Sequence, residues 1–500
     1  MLNKSYILAI DQGTTGSTAL LCDKEGQVVS TAYREMHQLY PHPGWVEQDP
    51  HQLFRQSLAV GQEALQKADV TITQVKGVGI TNQRETTVVW DRHTGEPVTG
   101  AIVWQCRRTA TLCEELKQKG MSQPIREKTG LIVDAYFSAT KLRWILDHIP
   151  QGQQRAQQGD LLFGTVDSWL VWNLTGGAVH VTDYSNASRT MLFNIHTLQW
   201  DKDLLAALDI PEAILPQVMP SSQVYGEITT GSLGDSPVPL AAIVGDQQAA
   251  LFGQACYHPG MTKNTYGTGS FVLLNTGDKP VPSQRGLITT VAWGLASKVS
   301  YALEGSIFIS GAAVQWLRDG LGLIASTAES EDLARSVPNS GGVYFVPALA
   351  GLGAPYWDMY ARGTILGLTR GTTRGHLTRA TLEAIAYQTR DVMEVMEIEA
   401  NLQIPLLRVD GGGTANALLM QFQADILGVP IQRAAVAETT ALGAAYLAGL
   451  AVGFWRDTVD ITRQWRASDI YEPSMSSDQR ESLYAGWKRA VERARGWLTG

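Results

Sequence analysis

Apolar, β-branched runs separated by short polar turns predict a succession of strands in the first half of the chain. These runs are Tyr6–Ile10, Ala19–Asp23, Val28–Tyr33, Val75–Thr81 and Thr86–Asp91. After the third run, Asp49 and Pro50 are typical of a helix start, so we expect a helix that continues to about Lys67. Strand, hairpin, helix and strand in this order indicate an α/β fold.

The second half repeats this pattern from about Thr262. Its predicted elements are strands within 265–276, at Leu287–Trp293 and at Val299–Glu304, and a helix from Ser310 to about Leu321. A chain of 500 residues exceeds what a single core usually spans. We therefore predict two domains, residues 1–255 and 256–500, divided near a turn at 257–260.

Two further segments are interpreted from their composition. The polar stretch 151–159 is predicted to be an exposed loop. The Ala- and Gly-rich run 439–455 is predicted to be a helix packed inside the protein, not a membrane span. The first residues lack the basic and apolar pattern of a secretory signal, so none is expected.

Charge and cysteine content narrow the function classes. A net charge of −8 argues against a protein that binds nucleic acid through a basic surface. Cys22, Cys106, Cys113 and Cys256 show no CxxC pairing and no histidines at ligand spacing, so a zinc site is not expected. A reducing, cytoplasmic setting is the simplest expectation.

Three turns rich in Gly and Thr contain the most informative chemistry. Two of them follow apolar runs that end on Asp, at Asp11–Gly16 and Asp410–Asn416, and the third is Tyr266–Ser270. Bare backbone N–H groups and hydroxyls at such turns bind phosphate. Gly13 and Gly16 permit positive φ and close approach, and the leading Asp of that turn can hold Mg²⁺ directly or through water. A tight β-turn with Asx capping is the alternative interpretation. None of the turns matches the GxxxxGK[ST] loop.

This combination of turns resembles the actin, hexokinase and sugar-kinase superfold. Within it, Tyr136–Ile145 and Gly363–Glu383 are similar to the signatures of the FGGY family of carbohydrate kinases. The resemblance covers essentially the whole chain. It implies an α/β protein with two actin/hexokinase-like (ribonuclease H-like) domains around a central cleft. It also implies an ATP- and Mg²⁺-dependent kinase that closes on its nucleotide.

The string NQRET, which contains Arg84 and Glu85, is very similar to that of family members that phosphorylate glycerol. A guanidinium donates to hydroxyl oxygens and a carboxylate accepts from hydroxyl protons, although a surface ion pair is the alternative interpretation. The resemblance adds Trp104, Tyr136 and Phe271 as pocket aromatics, with core packing as their alternative role. The implied reaction converts glycerol to sn-glycerol 3-phosphate.

By the same resemblance, Asp246 is the general base for the attacking hydroxyl and Gln247 bonds the substrate. A helix N-terminus favours an ionised carboxylate at Asp246, although simple helix capping is the alternative. Asp11 and Asp246 are the implied Mg²⁺ ligands. The implied nucleotide contacts are Thr14, Thr15, Gly16, Thr18, Thr268, Gly311, Gln315, Gly412 and Asn416.

Two positions depart from the related sequences. Thr18 lies in the stretch where those sequences usually have an arginine near the nucleotide phosphates, and Gly16 to Thr18 supply no cation. The loop 229–237 matches a loop through which some bacterial relatives bind fructose 1,6-bisphosphate by an arginine. Here it has Asp235 and no cation, so we expect insensitivity to that effector.

Two alternatives stay open from the sequence. Another FGGY kinase acting on a pentulose or small polyol would share the fold, but NQRET and Trp104 argue against it. An actin-like or chaperone-like ATPase would share the phosphate turns, yet it has no use for the Arg84–Glu85 pair. The resemblance also implies a homo-oligomer, either a dimer or a tetramer.

Overall fold

A computed structural model of the protein describes residues 4–229 and 231–498. The strands are β1 (Tyr6–Gln12), β2 (Gly16–Cys22), β3 (Val28–Glu35), β4 (Glu47–Gln48), β5 (Val75–Asn82), β6 (Val88–Asp91), β7 (Ala101–Ile102), β8 (Leu161–Gly164), β9 (Val181–Asp183), β10 (Phe193–Asn194), β11 (Gln199–Trp200), β12 (Gln217–Met219), β13 (Ser222–Ile228), β14 (Val238–Gly245), β15 (Thr262–Tyr266), β16 (Ser270–Gly277), β17 (Ile288–Leu295), β18 (Lys298–Ile307), β19 (Tyr344–Val346), β20 (Thr364–Leu366), β21 (Leu407–Asp410), β22 (Ile431–Ala434) and β23 (Ala467–Tyr471). The helices are α1 (Pro50–Lys67), α2 (Ala110–Gln118), α3 (Ser122–Thr129), α4 (Ser138–His148), α5 (Gly152–Gln158), α6 (Val166–Leu174), α7 (Tyr184–Ala187), α8 (Lys202–Ala207), α9 (Asp246–Gly253), α10 (Gly311–Asp319), α11 (Glu329–Arg335), α12 (Arg374–Ala400), α13 (Ala417–Leu427), α14 (Thr439–Ala451), α15 (Thr458–Thr462) and α16 (Ser477–Ala494).

Thirteen strands form one sheet in the order β23-β22-β21-β15-β16-β18-β17-β13-β14-β5-β1-β2-β3. At one end, β1, β2 and β3 pair antiparallel, and β5 and β14 continue the sheet parallel to β1. Towards the other end, β15, β16 and β18 pair antiparallel, and β21 and β22 continue it parallel to β15. The same strand order therefore occurs twice, which confirms the repeat predicted from the sequence.

The two units are joined by a β-bridge within the sheet and by the extensive packing of one helix, α14. β13 and β17 share one bridge, between Ser222 and Leu295. By contrast α14, which follows β22 in the chain, packs against α9, β1, β5 and β14 of the first unit. Its small side chains permit this approach, since a methyl group on Gly79 of β5 would overlap the Ala444 carbonyl. A helix from the second half of the sequence thus completes the core of the first unit.

The predicted strands of both halves are confirmed apart from small shifts at their ends. Asp49 caps α1 by accepting the His51 N–H at 2.9 Å, as predicted. The run 439–455 contains the buried helix α14, also as predicted. Within the described residues, every helix is too short or too polar to cross a membrane. The four cysteines are buried and free.

The prediction of an exposed loop at 151–159 is wrong. Residues Gly152–Gln158 form α5, and the helix buries its two smallest residues, Gly152 and Ala156. Gly159 ends the helix at φ +75°, a left-handed conformation that glycine adopts without strain. Polar composition alone hid a helix that is anchored by small residues.

Parallel pairing places the carboxyl ends of several strands side by side. In the first unit, Asp11 aligns with Thr81, and Gly245 aligns with Asn82. In the second unit, the end of β15 aligns with Asp410 at the end of β21. The segments singled out in the sequence begin at these strand ends, so the fold assembles them into one region.

Candidate active site

The first phosphate-type turn joins β1 to β2 through Thr14 and Thr15. The Gly13 N–H donates to the Gly16 carbonyl at 2.9 Å and closes the turn. Neither Gly13 nor Gly16 has positive φ, although both residue types would permit it. Gly16 is required by packing instead, since a methyl group there would lie 2.5 Å from the Tyr33 ring. The turn therefore presents its backbone and two threonine side chains on a closely packed strand pair.

The other two predicted phosphate turns lie against each other. Gly411 has φ +87°, and a side chain there would lie 2.5 Å from the Tyr266 carbonyl oxygen. The Gly311 N–H at the start of α10 donates to the Gly267 carbonyl at 3.0 Å. A methyl group on Gly311 would lie 2.6 Å from that same oxygen. Three predicted nucleotide-binding residues thus belong to one cluster of turns, namely Thr268, Gly311 and Gly412.

Three other residues predicted to contact the nucleotide, Gln315, Asn416 and Thr18, lie in α10, at the start of α13 and in β2, respectively. Gln315 is exposed on α10. Asn416 caps α13, with Oδ1 accepting the Leu419 N–H at 2.9 Å, so its carbonyl oxygen already has a partner. Thr18 lies directly opposite Asp11 in the β1–β2 ladder. A hydroxyl therefore faces the strand end at which related sequences usually place a cation.

Arg84 and Glu85 follow β5 in a strained turn. The Thr86 N–H donates to the Arg84 carbonyl at 2.7 Å, across Glu85, whose φ is +63°. Such a φ costs a non-glycine residue about 1–3 kcal/mol, and strain of this kind concentrates at functional sites. The Glu85 carbonyl accepts hydrogen bonds from Ser138 Oγ at 3.0 Å and Thr87 Oγ1 at 3.1 Å. These bonds hold the turn in place.

Arg84 reaches Asp246, the first residue of α9. Its Nε lies 3.1 Å from Asp246 Oδ1, and the Asp246 side chain is 25% exposed where that of Arg84 is 2% exposed. Burial raises the pKa of Asp246, and the nearby Arg84 opposes that rise. The pKa of Asp246 is therefore raised overall, whereas the sequence led us to expect that the helix N-terminus would favour its ionised form.

Gln247 is held by Lys263, a residue that sequence reasoning missed. Lys263 Nζ donates to Gln247 Oε1 at 2.5 Å and to Thr265 Oγ1 at 2.8 Å. Burial lowers the pKa of Lys263 to about 8, against the raising influence of Asp410 and Asp246. The trace of Lys263 in the sequence is a charged side chain within the short strand Thr262–Tyr266, and the structure shows that this side chain is fully buried.

The three predicted aromatic residues are half-buried in the same region. Trp104 Nε1 donates to Thr14 Oγ1 at 2.9 Å, and the Trp104 ring meets Tyr136 edge-on with centroids 5.5 Å apart. Phe271 lies beneath Arg84, whose Cζ is 5.9 Å from the ring centroid. The aromatic residues therefore connect the first phosphate turn to the Arg84 side of the site.

Arg84 and Glu85 are 3% and 1% exposed, which excludes a surface ion pair. Two residues that the sequence analysis missed, Arg189 and Glu304, are 0% exposed and complete a buried charge network. Glu304 accepts from Arg84 Nη1 at 2.5 Å and from Arg189 Nη2 at 3.0 Å. Glu85 Oε1 accepts from Arg189 Nε at 2.6 Å. Burial alone would raise the pKa of Glu304, yet the two arginines bring it down to about 2.

Asp11 has the environment of a cation ligand. Its Oδ1 is buried and has no hydrogen-bond partner within residues 4–229 and 231–498. Burial and the charge of Asp246 raise the pKa of Asp11 to about 8. Proteins commonly hold Mg²⁺ through one or two carboxylates together with substrate phosphates, so Asp11 and Asp246 fit this ion. No group of three or more metal-binding side chains occurs in the described part of the chain.

Of the loop 229–237, the structure describes residue 229 and residues 231–237. The Gly231 N–H donates to the Gly234 carbonyl at 2.7 Å, and Asp235 is exposed. Thr230 lies outside the described residues.

Comparison with known proteins gives the class of the molecule. Models of the N-terminal and C-terminal domains of the FGGY family of carbohydrate kinases match residues 6–253 and 262–452. The chain belongs to the FGGY family of carbohydrate kinases.

Individual members of this family are similar to the protein over nearly its whole length. Glycerol kinase 2 of Thermotoga maritima is 61% identical over 492 residues, which are 98% of this chain and 99% of the relative. Glycerol kinase of Symbiobacterium thermophilum is 61% identical over 496 residues, 99% of each chain. The crystal structure of Plasmodium falciparum glycerol kinase with ADP has a TM-score of 0.92 at 37% identity and covers 98% of each chain. These matches confirm the predicted two-domain fold.

Proposed function

We propose that the protein transfers the terminal phosphoryl group of ATP to glycerol, giving sn-glycerol 3-phosphate and ADP. The observation that carries the proposal is the 3.1 Å contact between Arg84 Nε and Asp246 Oδ1, next to the aromatic pair Trp104 and Tyr136. A cation, a base and apolar ring faces in one place suit a short polyol. Relatives named glycerol kinase at 61% identity support this choice of acceptor.

In the proposed reaction, Arg84 donates to hydroxyl oxygens of glycerol, Glu85 accepts from a hydroxyl, and Gln247 adds a further bond. Ring faces of Trp104 and Phe271, with that of Tyr136, pack on the carbon chain. Asp246 accepts the proton of the attacking glycerol hydroxyl. As it does so, the oxygen of that hydroxyl forms a bond to the γ-phosphorus, and the bond between this phosphorus and the leaving ADP oxygen breaks. The raised pKa of Asp246 suits a base that takes a proton late in a loose transfer.

The nucleotide is proposed to lie along the three turns. Backbone N–H groups and hydroxyls at Thr14, Thr15, Gly16, Thr18, Thr268 and Gly412 bind phosphate oxygens, and the nucleoside contacts are Gly311, Gln315 and Asn416. Asp11 and Asp246 would hold Mg²⁺. When bound, this ion would neutralise negative charge that develops on the transferred phosphoryl group.

We also infer the organisation of the enzyme. Residues 1–255 and 256–500 are proposed as its two domains, a division supported by family models that match 6–253 and 262–452. Two buried carboxylate–arginine contacts reach across it, because Glu304 pairs with Arg84 and Arg189. A cytoplasmic homo-oligomer, a dimer or a tetramer, is the proposed working form.

A substrate panel tests the proposal. With ATP and Mg²⁺, kcat/KM for glycerol is expected to exceed that for xylulose, ribulose and gluconate, because a site built to bond several hydroxyls rejects acceptors that leave its polar groups unpaired. In a second arm, Glu85→Ala should raise KM for glycerol far more than KM for ATP. A higher kcat/KM for either pentulose would overturn the assignment and make the chain a pentulose kinase.

A further inference from the structure

The buried charge network contains two residues that have no role in the proposed reaction. Arg189 follows α7 in the first unit, and Glu304 lies in the middle of β18 in the second. Both are 0% exposed, so neither is placed to meet solvent. Buried charges are retained only when they are paired, and removing one partner leaves the other uncompensated. The hydrogen-bond partners of Arg189 and Glu304 therefore indicate which side chains these two residues keep in position.

Arg189 holds one side of Glu85. Its Nε donates to Glu85 Oε1 at 2.6 Å, and its Nη2 donates to Glu304 Oε1 at 3.0 Å. Within the described residues, Oε2 of Glu85 accepts no hydrogen bond, so this oxygen is the one left for a substrate hydroxyl. Arg189 Cζ also lies 5.7 Å from the Tyr136 ring centroid and 5.3 Å from that of Phe137. The guanidinium thus has one fixed position between the carboxylate and the rings.

Glu304 holds both arginines at once. It accepts from Arg84 through Nη1 at 2.5 Å and Nη2 at 3.2 Å, a two-point contact that fixes the plane of the guanidinium. Its Oε1 also accepts from Arg189. Since Arg84 lies 3.1 Å from Asp246, Glu304 sets the position of the cation beside the proposed base.

We propose that Arg189 and Glu304 are positioning residues for the acceptor alcohol: Arg189 orients Glu85 with one oxygen free, and Glu304 fixes Arg84 and Arg189 together. This inference rests on the proposed function, because Glu85 and Arg84 are the groups that bind glycerol there. The proposal attributes part of the selectivity for the polyol to Arg189 and Glu304, two residues that do not themselves contact the polyol. Burial raises the pKa of Glu85 and Arg189 is the strongest opposing influence, which supports the same role.

The first experiment compares Arg189→Met with Arg189→Lys. Methionine keeps most of the volume but not the charge, and lysine keeps the charge as a single donor. Arg189→Met should raise KM for glycerol about 10- to 100-fold, the range for losing a hydrogen bond to a charged group, with KM for ATP unchanged. Arg189→Lys should recover a large part of that loss. If KM for glycerol in both variants equals that of the unmodified enzyme, Arg189 only fills space and the proposal is overturned.

Substrate analogues supply a readout that folding does not affect. Propane-1,2-diol and propane-1,3-diol each lack one hydroxyl of glycerol. If Arg189 acts through Glu85, Arg189→Met lowers the preference for glycerol over one of these diols by about the factor by which KM for glycerol rises. An unchanged preference for glycerol over both diols contradicts the mechanism.

The matched control is Arg390→Met on α12. Arg390 is 8% exposed and pairs with two carboxylates, Glu394 and Glu481, neither of which belongs to the site. It should leave KM for glycerol unchanged. Glu304→Gln gives a second test should Arg189→Met fail to fold, and it should raise KM for glycerol with KM for ATP unchanged. Absence of glycerol turnover in the unmodified enzyme would refute the proposed function, whereas normal KM values in the variants would refute only this inference.

Discussion

The contact between α9 and α14 gives the sharpest prediction about packing. A methyl group on Gly443 of α14 would overlap the Ala249 carbonyl and lie 2.9 Å from the Gly253 nitrogen. A methyl group on Gly253 of α9 would in turn overlap the Thr439 carbonyl. Each glycine is therefore required by its neighbour, and Gly443→Ala forces the two helices apart.

The magnitude follows from two opposing effects. Replacing Gly by Ala inside a helix gains up to about 1 kcal/mol in helix propensity. Overpacking a closed contact costs about 1–3 kcal/mol and sometimes more, and here the clash is with backbone that no rotamer change relieves. Taking the upper end of the overpacking cost, about 3 kcal/mol, less the propensity gain of up to about 1 kcal/mol, we expect Gly443→Ala to lower the free energy of unfolding by about 2–3 kcal/mol. This is about 4–12 °C in Tm for a domain of this size.

The same substitution should affect turnover, because α9 begins at Asp246. A displacement of a reacting group by about 1 Å costs as much as 10²-fold in rate, so kcat should fall by roughly 10- to 100-fold. Tm is measured by circular dichroism and kcat well below it, with the folded fraction checked in the same buffer. Gly371→Ala is the control, since its nearest neighbour would be the Thr369 hydroxyl at 3.8 Å. Unchanged Tm and kcat in Gly443→Ala would refute the idea that this contact positions the base.

Four other expectations follow from the structure. Asp246→Asn should lower kcat by roughly 10²–10⁴ with ADP binding retained, and near-normal turnover would leave Asp246 only a helix-start role. Small-angle scattering should show a smaller radius of gyration with glycerol and an ATP analogue bound together, since both units supply contacts; an unchanged radius contradicts closure. Millimolar fructose 1,6-bisphosphate should leave activity unchanged, because Asp235 repels it; dose-dependent inhibition abolished by mutating the loop 229–237 would show otherwise. Burial raises the pKa of Asp167 to about 7, so the stability that its protonated form contributes is complete below about pH 4 and lost as the pH rises through 7. In urea titrations at several pH values, Asp167→Asn should therefore show a smaller decline in the free energy of unfolding over this range. The same decline in the variant and the unmodified protein would contradict this expectation.

Much of the architecture was predictable because it depends on local patterns. The strands before Asp11 and Asp410 are apolar runs that end at a polar turn, and their repeat gave the two-unit plan. The helix α5, Gly152–Gln158, was not predictable in the same way. Its buried side consists of Gly152 and Ala156, which leave no hydrophobic period to detect.

The site was predicted in part for a similar reason. Arg84 and Glu85 stand in a recognisable string, whereas Arg189 and Glu304 become neighbours only when distant segments meet in the fold. Glu304 did leave a trace, since it is the one charged residue in the apolar run Tyr301–Ile307. A charge inside a strand that is otherwise apolar indicates a buried partner, and no local rule identifies which one.

The order in which the chain is synthesised gives the position of α14 a biosynthetic meaning. Ile7, Ala9 and Val244 share one core cluster with Ala445 and Leu447 of that helix. At about 5–20 residues per second, the ribosome makes α14 on the order of 10–40 s after α9. During that interval the nascent first unit exposes an apolar face that α14 later helps to cover. A fragment ended at residue 255 keeps that face uncovered, so it should need a chaperone or the separately supplied helix to stay in solution.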